Sequence, residues 1–172
     1  MNLILNELVQ LVNGEFAERF EGRNLDLICI LQPEPLLIRA DSRRIWRVLE
    51  NLYVNVCKYA MPGTRVYVDA IKKDGKIQLS IKNISENPLN FQADELTERF
   101  IRGDVSRSTE GSGLGLSIAK NLTVLQHGSF NIYLDGDLFK VTITFDEAVK
   151  EKKPMPPMIV PEAVQEEAQQ DA

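Results

Sequence analysis

Residues 65–84, RVYVDAIKKDGKIQLSIKNI, are two alternating apolar runs joined through Asp74-Gly75, and residues 129–145, SFNIYLDGDLFKVTITF, repeat the pattern around Asp135-Gly136-Asp137. A period of two commits each run to a strand with one apolar face, and Asp-Gly supplies the backbone conformation of a tight hairpin. Two such hairpins make an antiparallel sheet, whose apolar face needs a second layer. The rest of the chain supplies helices for it. Leu5, Leu8, Val9, Val12 and Phe16 recur at helical spacing through residues 3–20, and LDLICIL (25–31) reads as another strand. Asp41 and Ser42 offer an N-cap to RRIWRVLENLYVNVCKYA, whose Ile45, Val48, Leu49, Leu52 and Val56 share a face before Pro62-Gly63 ends the helix. LGLSIAKNLTVLQ (114–126) is a further helix, closed by His127-Gly128. The expectation is an α/β fold, a two-layer sandwich in which a mixed, mostly antiparallel sheet packs on about three helices.

A chain of 172 residues, 44% hydrophobic and 26% charged, has enough apolar material for one domain with a real core. That domain is expected over residues 1–146. Residues 147–172, EAVKEKKPMPPMIVPEAVQEEAQQDA, are rich in proline and charge without a periodic apolar pattern. They cannot bury enough surface to order themselves, so a disordered tail is expected. The net charge of −5 gives a long-range field of the wrong sign for nonspecific binding to nucleic acid or an anionic membrane. Any phosphate contacts must therefore be local. Cys29 and Cys57 both sit inside apolar runs, which suits reduced, buried thiols in a cytoplasmic protein. No apolar run reaches the ~18 to 20 residues of a membrane helix, and the N-terminus lacks the pattern of a secretory signal.

On the long helix, Asn51, Asn55, Lys58 and Tyr59 stand at i, i+4, i+7 and i+8, which puts all four on one face. Such a face is ordinarily solvated. It also carries the parts of a nucleotide site: an amide oxygen for a hard cation, an ammonium for phosphate and a ring for a base. The segment EGSGLGLSIAK (110–120) bears on the choice, because Gly111, Gly113 and Gly115 expose backbone N–H groups at a helix N-terminus, where the dipole favours an anion. A polyphosphate is the natural guest. A dinucleotide fingerprint would need a strand before the glycines, where DVSRSTE is polar, and a P-loop would need Lys then Ser/Thr after its last Gly, which GLGLS lacks. The polar stretch from Ser85 to Glu110 holds at most one short helix, around Asp94 to Phe100, and loops of that length are often functional lids.

In this order the motifs resemble the catalytic and ATP-binding domain of bacterial sensor histidine kinases, of the GHKL ATPase superfamily and its Bergerat fold. NLYVNVCKYA (51–60) is similar to the family's N box, LTERFIRGD (96–104) to its F box and EGSGLGLSIAK to its G2 box, across roughly residues 3–146. The resemblance implies ATP and Mg²⁺ as cofactors. It implies that Asn55 ligates Mg²⁺, Lys58 meets a phosphate and Tyr59 lies along the adenine or ribose. Gly111, Ser112, Gly113, Leu114, Gly115 and Leu116 would border the nucleotide. Phe100 would anchor the lid and Arg102 would swing onto the γ-phosphate, joining Asn51, Asn55 and Lys58 in the catalytic set. From the residues alone, Phe100 is equally a core residue, and Arg102 and Arg107 equally solvated charges. The implied activity is transfer of the γ-phosphate to a histidine on a separate dimerisation domain, in cis or trans, with a response regulator downstream. The isolated domain is expected to be monomeric. A serine kinase of the anti-sigma type and a nucleotide-binding module without catalysis are the alternatives.

The chain departs from the family at the G1 box, where D-x-G-x-G is replaced by NISEN at 83–87. Asn83 can still accept a hydrogen bond from the exocyclic amine of adenine, without the added strength of a carboxylate. Asn51 stands four residues before Asn55, where water-using ATPases of the superfamily place a general-base glutamate. An amide takes no proton near neutral pH, and Glu50 lies about 100° around the helix, so low hydrolysis is expected. The only histidine, His127, is expected to be a helix-end residue. No acceptor-like segment is read before Asn2, and the acceptor is expected on another domain.

Overall fold

The computed structural model describes residues 1–89 and 114–149. In chain order the elements are β1 (Asn2–Ile4), α1 (Leu5–Gly22), β2 (Asp26–Leu31), β3 (Leu37–Arg39), α2 (Ser42–Tyr59), β4 (Arg65–Lys73), β5 (Lys76–Ile84), α3 (Leu114–Leu125), β6 (Ser129–Asp135) and β7 (Leu138–Asp146). Both hairpins form as their turn residues require. Asp74 and Gly75 take φ of 52° and 72°, the two positive values of a type I′ turn. In the second hairpin Asp135 already pairs with Leu138, and Gly136 supplies a φ of 58° at the first turn position.

Five of the seven described strands form one sheet in the order β2-β4-β5-β7-β6, parallel only between β2 and β4. Val66, Val68 and Ala70 of β4, Ile77, Leu79 and Ile81 of β5, and Val141, Ile143 and Phe145 of β7 are buried in alternation, in one cluster with the apolar stripes of the helices. The result is the two-layer α/β sandwich expected, with a mixed, mostly antiparallel sheet and three helices among the described residues. The expected short helix at 94–100 lies outside the described residues. The three-residue strands β1 and β3 pair with each other and carry too little alternation to be read from sequence. Beyond β7, the Glu147 N–H still donates to Gly75 O (2.9 Å) and the Ala148 N–H to Leu37 O (2.9 Å).

Helices α1 and α3 end in the same way. Leu25 and Asn24 donate to Phe20 O and Glu21 O (2.8 and 2.9 Å), while Gly128 and His127 donate to Thr123 O and Val124 O (both 3.0 Å). These are Schellman ends, with Asn24 (φ 54°) and His127 (φ 68°) in the left-handed position usually given to glycine. Gly128 is needed for a different reason: a Cβ there would lie 2.6 Å from Phe145 Cε1 and 2.9 Å from Thr123 Cγ2. Gly128→Ala is therefore expected to lower stability by roughly 1 to 3 kcal/mol, the usual cost of overpacking, as read by denaturant unfolding.

Helices α2 and α3 are antiparallel. The Asp41 carboxylate caps α2 by accepting from the Arg43 and Arg44 N–H groups (2.9 and 3.2 Å), and the Asp41 N–H donates to Gln126 Oε1 just beyond α3 (2.7 Å). At the other end of α3, a Cβ on Gly115 would touch Asn51 Oδ1 at 3.5 Å. A side chain longer than alanine at Gly115 would part the two helices.

Candidate functional site

The rotation of α2 about its axis decides what its exposed flank presents. Ile45, Val48, Leu49, Leu52, Tyr53, Val56 and Cys57 are buried. Tyr53 is only 1% exposed, its ring edge-on to Phe16 (5.4 Å) and stacked on Phe20 (5.6 Å), and its hydroxyl donates to Asn13 Oδ1 of α1. With that face turned inward, Asn51, Asn55 and Tyr59 emerge half-buried along one flank and Lys58 is exposed. The antiparallel α3 brings its N-terminal end to this flank, through Gly115 against Asn51.

The two amides differ. Asn51 is engaged: its Nδ2 donates to Arg47 O (2.8 Å). The Asn55 side chain makes no hydrogen bond and Lys58 makes no ion pair among the described residues, which leaves a hard oxygen and a cation available side by side. A magnesium ion takes one or two protein oxygens and completes its shell with phosphate and water, so a single amide ligand fits it. No group of three or more His, Cys, Asp or Glu among the described residues makes a closed protein metal site.

Beyond Lys58, the end of α2 is tied to the end of β5. The Met61 N–H donates to Ile84 O (2.7 Å) and the Glu86 N–H to Tyr59 O (2.8 Å). Arg23 braces the junction, donating from Nε to Cys57 O (2.8 Å) and from Nη2 to Ala60 O (3.1 Å), with Glu86 3.6 Å away. Free carbonyls at a helix C-terminus need such partners. Asn83 belongs to this end of the sheet and shares the helix-facing side of β5 with Ile77, Leu79 and Ile81. It is 3% exposed, and its Oδ1 is the one buried side-chain polar atom without a hydrogen-bond partner among the described residues. A buried carbonyl left without a partner costs about 1 to 3 kcal/mol, and a donor arriving from a bound molecule removes that cost.

Of the residues read from sequence, Asn51, Asn55, Lys58, Tyr59, Asn83, Gly115 and Leu116 are brought to the C-terminal half of α2 and its borders; Leu116 is buried, 2% exposed. Leu114 begins α3, and its side chain lies outside the described residues. Phe100, Arg102, Arg107, Gly111, Ser112 and Gly113 also lie outside them. Sequence reasoning passed over Asn13 and Arg23. Neither belongs to a motif, and their contacts, across 40 and 34 to 37 residues, leave no local pattern.

Burial pushes the Cys29 and Cys57 thiols up from their ordinary values, so both are held as free, protonated thiols; Cys57 is buried as expected, whereas Cys29 is only half-buried. Burial also raises Tyr53 above the ordinary value of 10.0. Above pH 10 the unfolded chain loses the tyrosine proton first and so binds fewer protons than the folded one. The Tyr53 contribution to stability is thus intact below pH 10 and falls as pH rises. Tyr53→Phe is expected to flatten this alkaline decline in a pH series of unfolding midpoints.

Residues 40–149 match the family described as Histidine kinase-, DNA gyrase B-, and HSP90-like ATPase. Among curated proteins, the chain is 31% identical over 123 residues to the signal transduction histidine-protein kinase BaeS of Escherichia coli, covering 70% of this chain and 26% of that one. It is 31% identical over 157 residues to the sensor histidine kinase WalK of Bacillus subtilis, covering 86% and 25%. The chain thus spans about a quarter of the length of these two relatives. The catalytic domain of histidine kinase ThkA shares the fold, with a TM-score of 0.74 at 23% identity over 86% of this chain and 95% of that one. So does ThkA crystallised with the response regulator TrrA, with a TM-score of 0.69 at 22% identity over 88% and 43%.

Proposed function

Since the chain belongs to the histidine kinase-, DNA gyrase B- and HSP90-like ATPase family, as a catalytic domain of the sensor histidine kinase kind, we propose that it binds Mg-ATP and passes the γ-phosphate to a histidine on a separate helical domain. The observation that carries the reading is a convergence. The Asn55 amide oxygen, the Lys58 ammonium and the buried Asn83 carbonyl, each without a partner among the described residues, and the N-terminal end of α3 all border one end of the helix layer.

In this reading the base lies toward Asn83 and Tyr59 and the phosphates run along the flank toward the start of α3. Asn83 Oδ1 accepts from the adenine amine. Asn55 supplies the protein oxygen for Mg²⁺, which neutralises phosphate charge, and Lys58 holds a phosphate as a point charge. The resemblance adds Gly111 to Gly113 at the phosphates, Phe100 under the lid and Arg102 at the γ-phosphate. The acceptor imidazole attacks the γ-phosphorus as its bond to the ADP oxygen breaks, and ADP leaves. By extension from the ThkA complex, a response regulator is the downstream partner. No described helix is long and apolar enough to cross a membrane, and a cytoplasmic setting is part of the proposal.

Asn51 sets what the site does not do well. Its Nδ2 is committed to Arg47 O, and its amide cannot accept a proton from water near neutral pH. We expect ATP hydrolysis by the chain alone to stay near the slow background of a kinase domain. The reading is tested by calorimetric titration of ATP and ADP with and without Mg²⁺, beside steady-state phosphate release. Mg²⁺-dependent binding with little release is the expected pair of results, and absence of binding or rapid turnover would oppose it.

A further inference from the structure

Asn83 bears on which base the site accepts, and we infer that it admits 6-oxopurine nucleotides, those carrying hypoxanthine in place of adenine, as well as adenine nucleotides. The inference rests on the nucleotide reading above and concerns the base alone.

The amide is held in place but not in orientation. Asn83 is 3% exposed, on a strand paired along its length with β7, Asn83 itself opposite Phe139. The backbone just beyond it is fixed: Ser85 donates from N–H to Asp137 O (2.7 Å) and from Oγ to Asn87 O (2.7 Å), and Ile84 O accepts from the Met61 N–H (2.7 Å). Yet among the described residues Asn83 Oδ1 has no partner and Nδ2 has no acceptor. The terminal torsion of asparagine is broad and nearly two-fold, and no hydrogen bond from a described residue selects between the two amide orientations.

The two bases differ at one edge. Adenine offers a donor at its exocyclic N6 beside an acceptor at N1. Hypoxanthine offers an acceptor at O6 beside a donor at N1. Asparagine matches the first with Oδ1 toward N6 and Nδ2 toward N1, and it matches the second after a half-turn of the amide. A carboxylate at the same position has no donor, so it meets either base at one edge atom only, N6 of adenine or N1–H of hypoxanthine, and faces a lone pair at the other. The Asn of NISEN instead offers each edge a donor and an acceptor, by turning its amide. Inosine triphosphate is the sharpest probe, because it differs from ATP only at this edge and lacks the extra amino group of guanine.

The test is competition of ATP and inosine triphosphate, each with Mg²⁺, against a fluorescent adenine nucleotide bound to the whole chain, in the parent and in Asn83→Leu. In the parent the two affinities should agree within about tenfold, the worth of roughly one hydrogen bond. In Asn83→Leu, which offers neither donor nor acceptor, both affinities should fall by at least about tenfold. Far-UV circular dichroism checks that the variant folds, and the parent ratio stands without it. If the parent binds ATP yet rejects inosine triphosphate by more than about a hundredfold, the inference fails while the nucleotide reading survives. Unchanged affinity for both nucleotides in a folded Asn83→Leu overturns it equally. If neither nucleotide binds the parent, the inference and the nucleotide reading fall together.

Discussion

Asn55→Ala is expected to lose most of the Mg²⁺-dependent affinity for ATP, by about tenfold to a hundredfold, the range for removing one interaction with a charged group. The size follows from how little else on the described protein offers the ion an oxygen. Asn51 donates its Nδ2 to Arg47 O and sets its Oδ1 against Gly115 of α3, and no carboxylate cluster stands nearby among the described residues. Alanine deletes the ligand without disturbing the core, because Asn55 lies on the flank of α2 and forms no hydrogen bond with the described residues. Titrations without Mg²⁺ separate the causes. The parent and Asn55→Ala should then bind ATP almost alike, whereas a variant that merely loosened the helix would be weakened in both conditions. Asn55→Asp, which keeps a hard oxygen, should retain Mg²⁺ dependence.

Label from γ-labelled ATP should appear on a supplied histidine-bearing dimerisation domain and not on this chain. The only histidine, His127, is the left-handed residue closing α3, where its backbone N–H donates to Val124 O (3.0 Å). The N-terminal end of α3 faces the nucleotide flank, so His127 sits at the far end of a 12-residue helix, roughly 18 Å away at about 1.5 Å per residue. In-line attack needs reacting atoms about 3 to 3.5 Å apart, which excludes His127 within one molecule. The effect expected is all-or-none. Acid-labile label on the dimerisation domain, undiminished in His127→Gln, is the result anticipated; label on the isolated chain that vanishes in His127→Gln would contradict it.

Much of the fold was legible because its signals are local. Alternation around Asp74-Gly75 and Gly136-Asp137 gave both hairpins, and an Asp N-cap with a 3.6-residue stripe gave α2. Strands β1 and β3 were not legible, since three residues carry no period and their pairing spans more than thirty residues. The site was legible as far as it lies on one helix: Asn51, Asn55, Lys58 and Tyr59 share a flank by spacing alone. How that flank is turned outward was not. It depends on Tyr53 stacking against Phe16 and Phe20 and bonding Asn13, contacts between α1 and α2 that neither helix records in its own pattern. The same holds for Arg23, which reaches from the end of α1 to the last carbonyls of α2. Asn83 was legible as a departure from a motif, but its burial and its unpartnered carbonyl come only from the strand pairing around it.

The central claim is that a nucleotide lies along the flank between Asn51 and Tyr59, bounded by the start of α3 and by Asn83. Backbone and side-chain amide shifts recorded by NMR during titration with Mg-ATP test it most directly. The account predicts the largest changes at residues 51–61, 83–86 and 114–118, including the side-chain amides of Asn55 and Asn83, with the Asn55 changes dependent on Mg²⁺. Changes confined to the opposite end of α3, at the groove lined by Met1, Arg39, Gln126, His127 and Phe145, would contradict it.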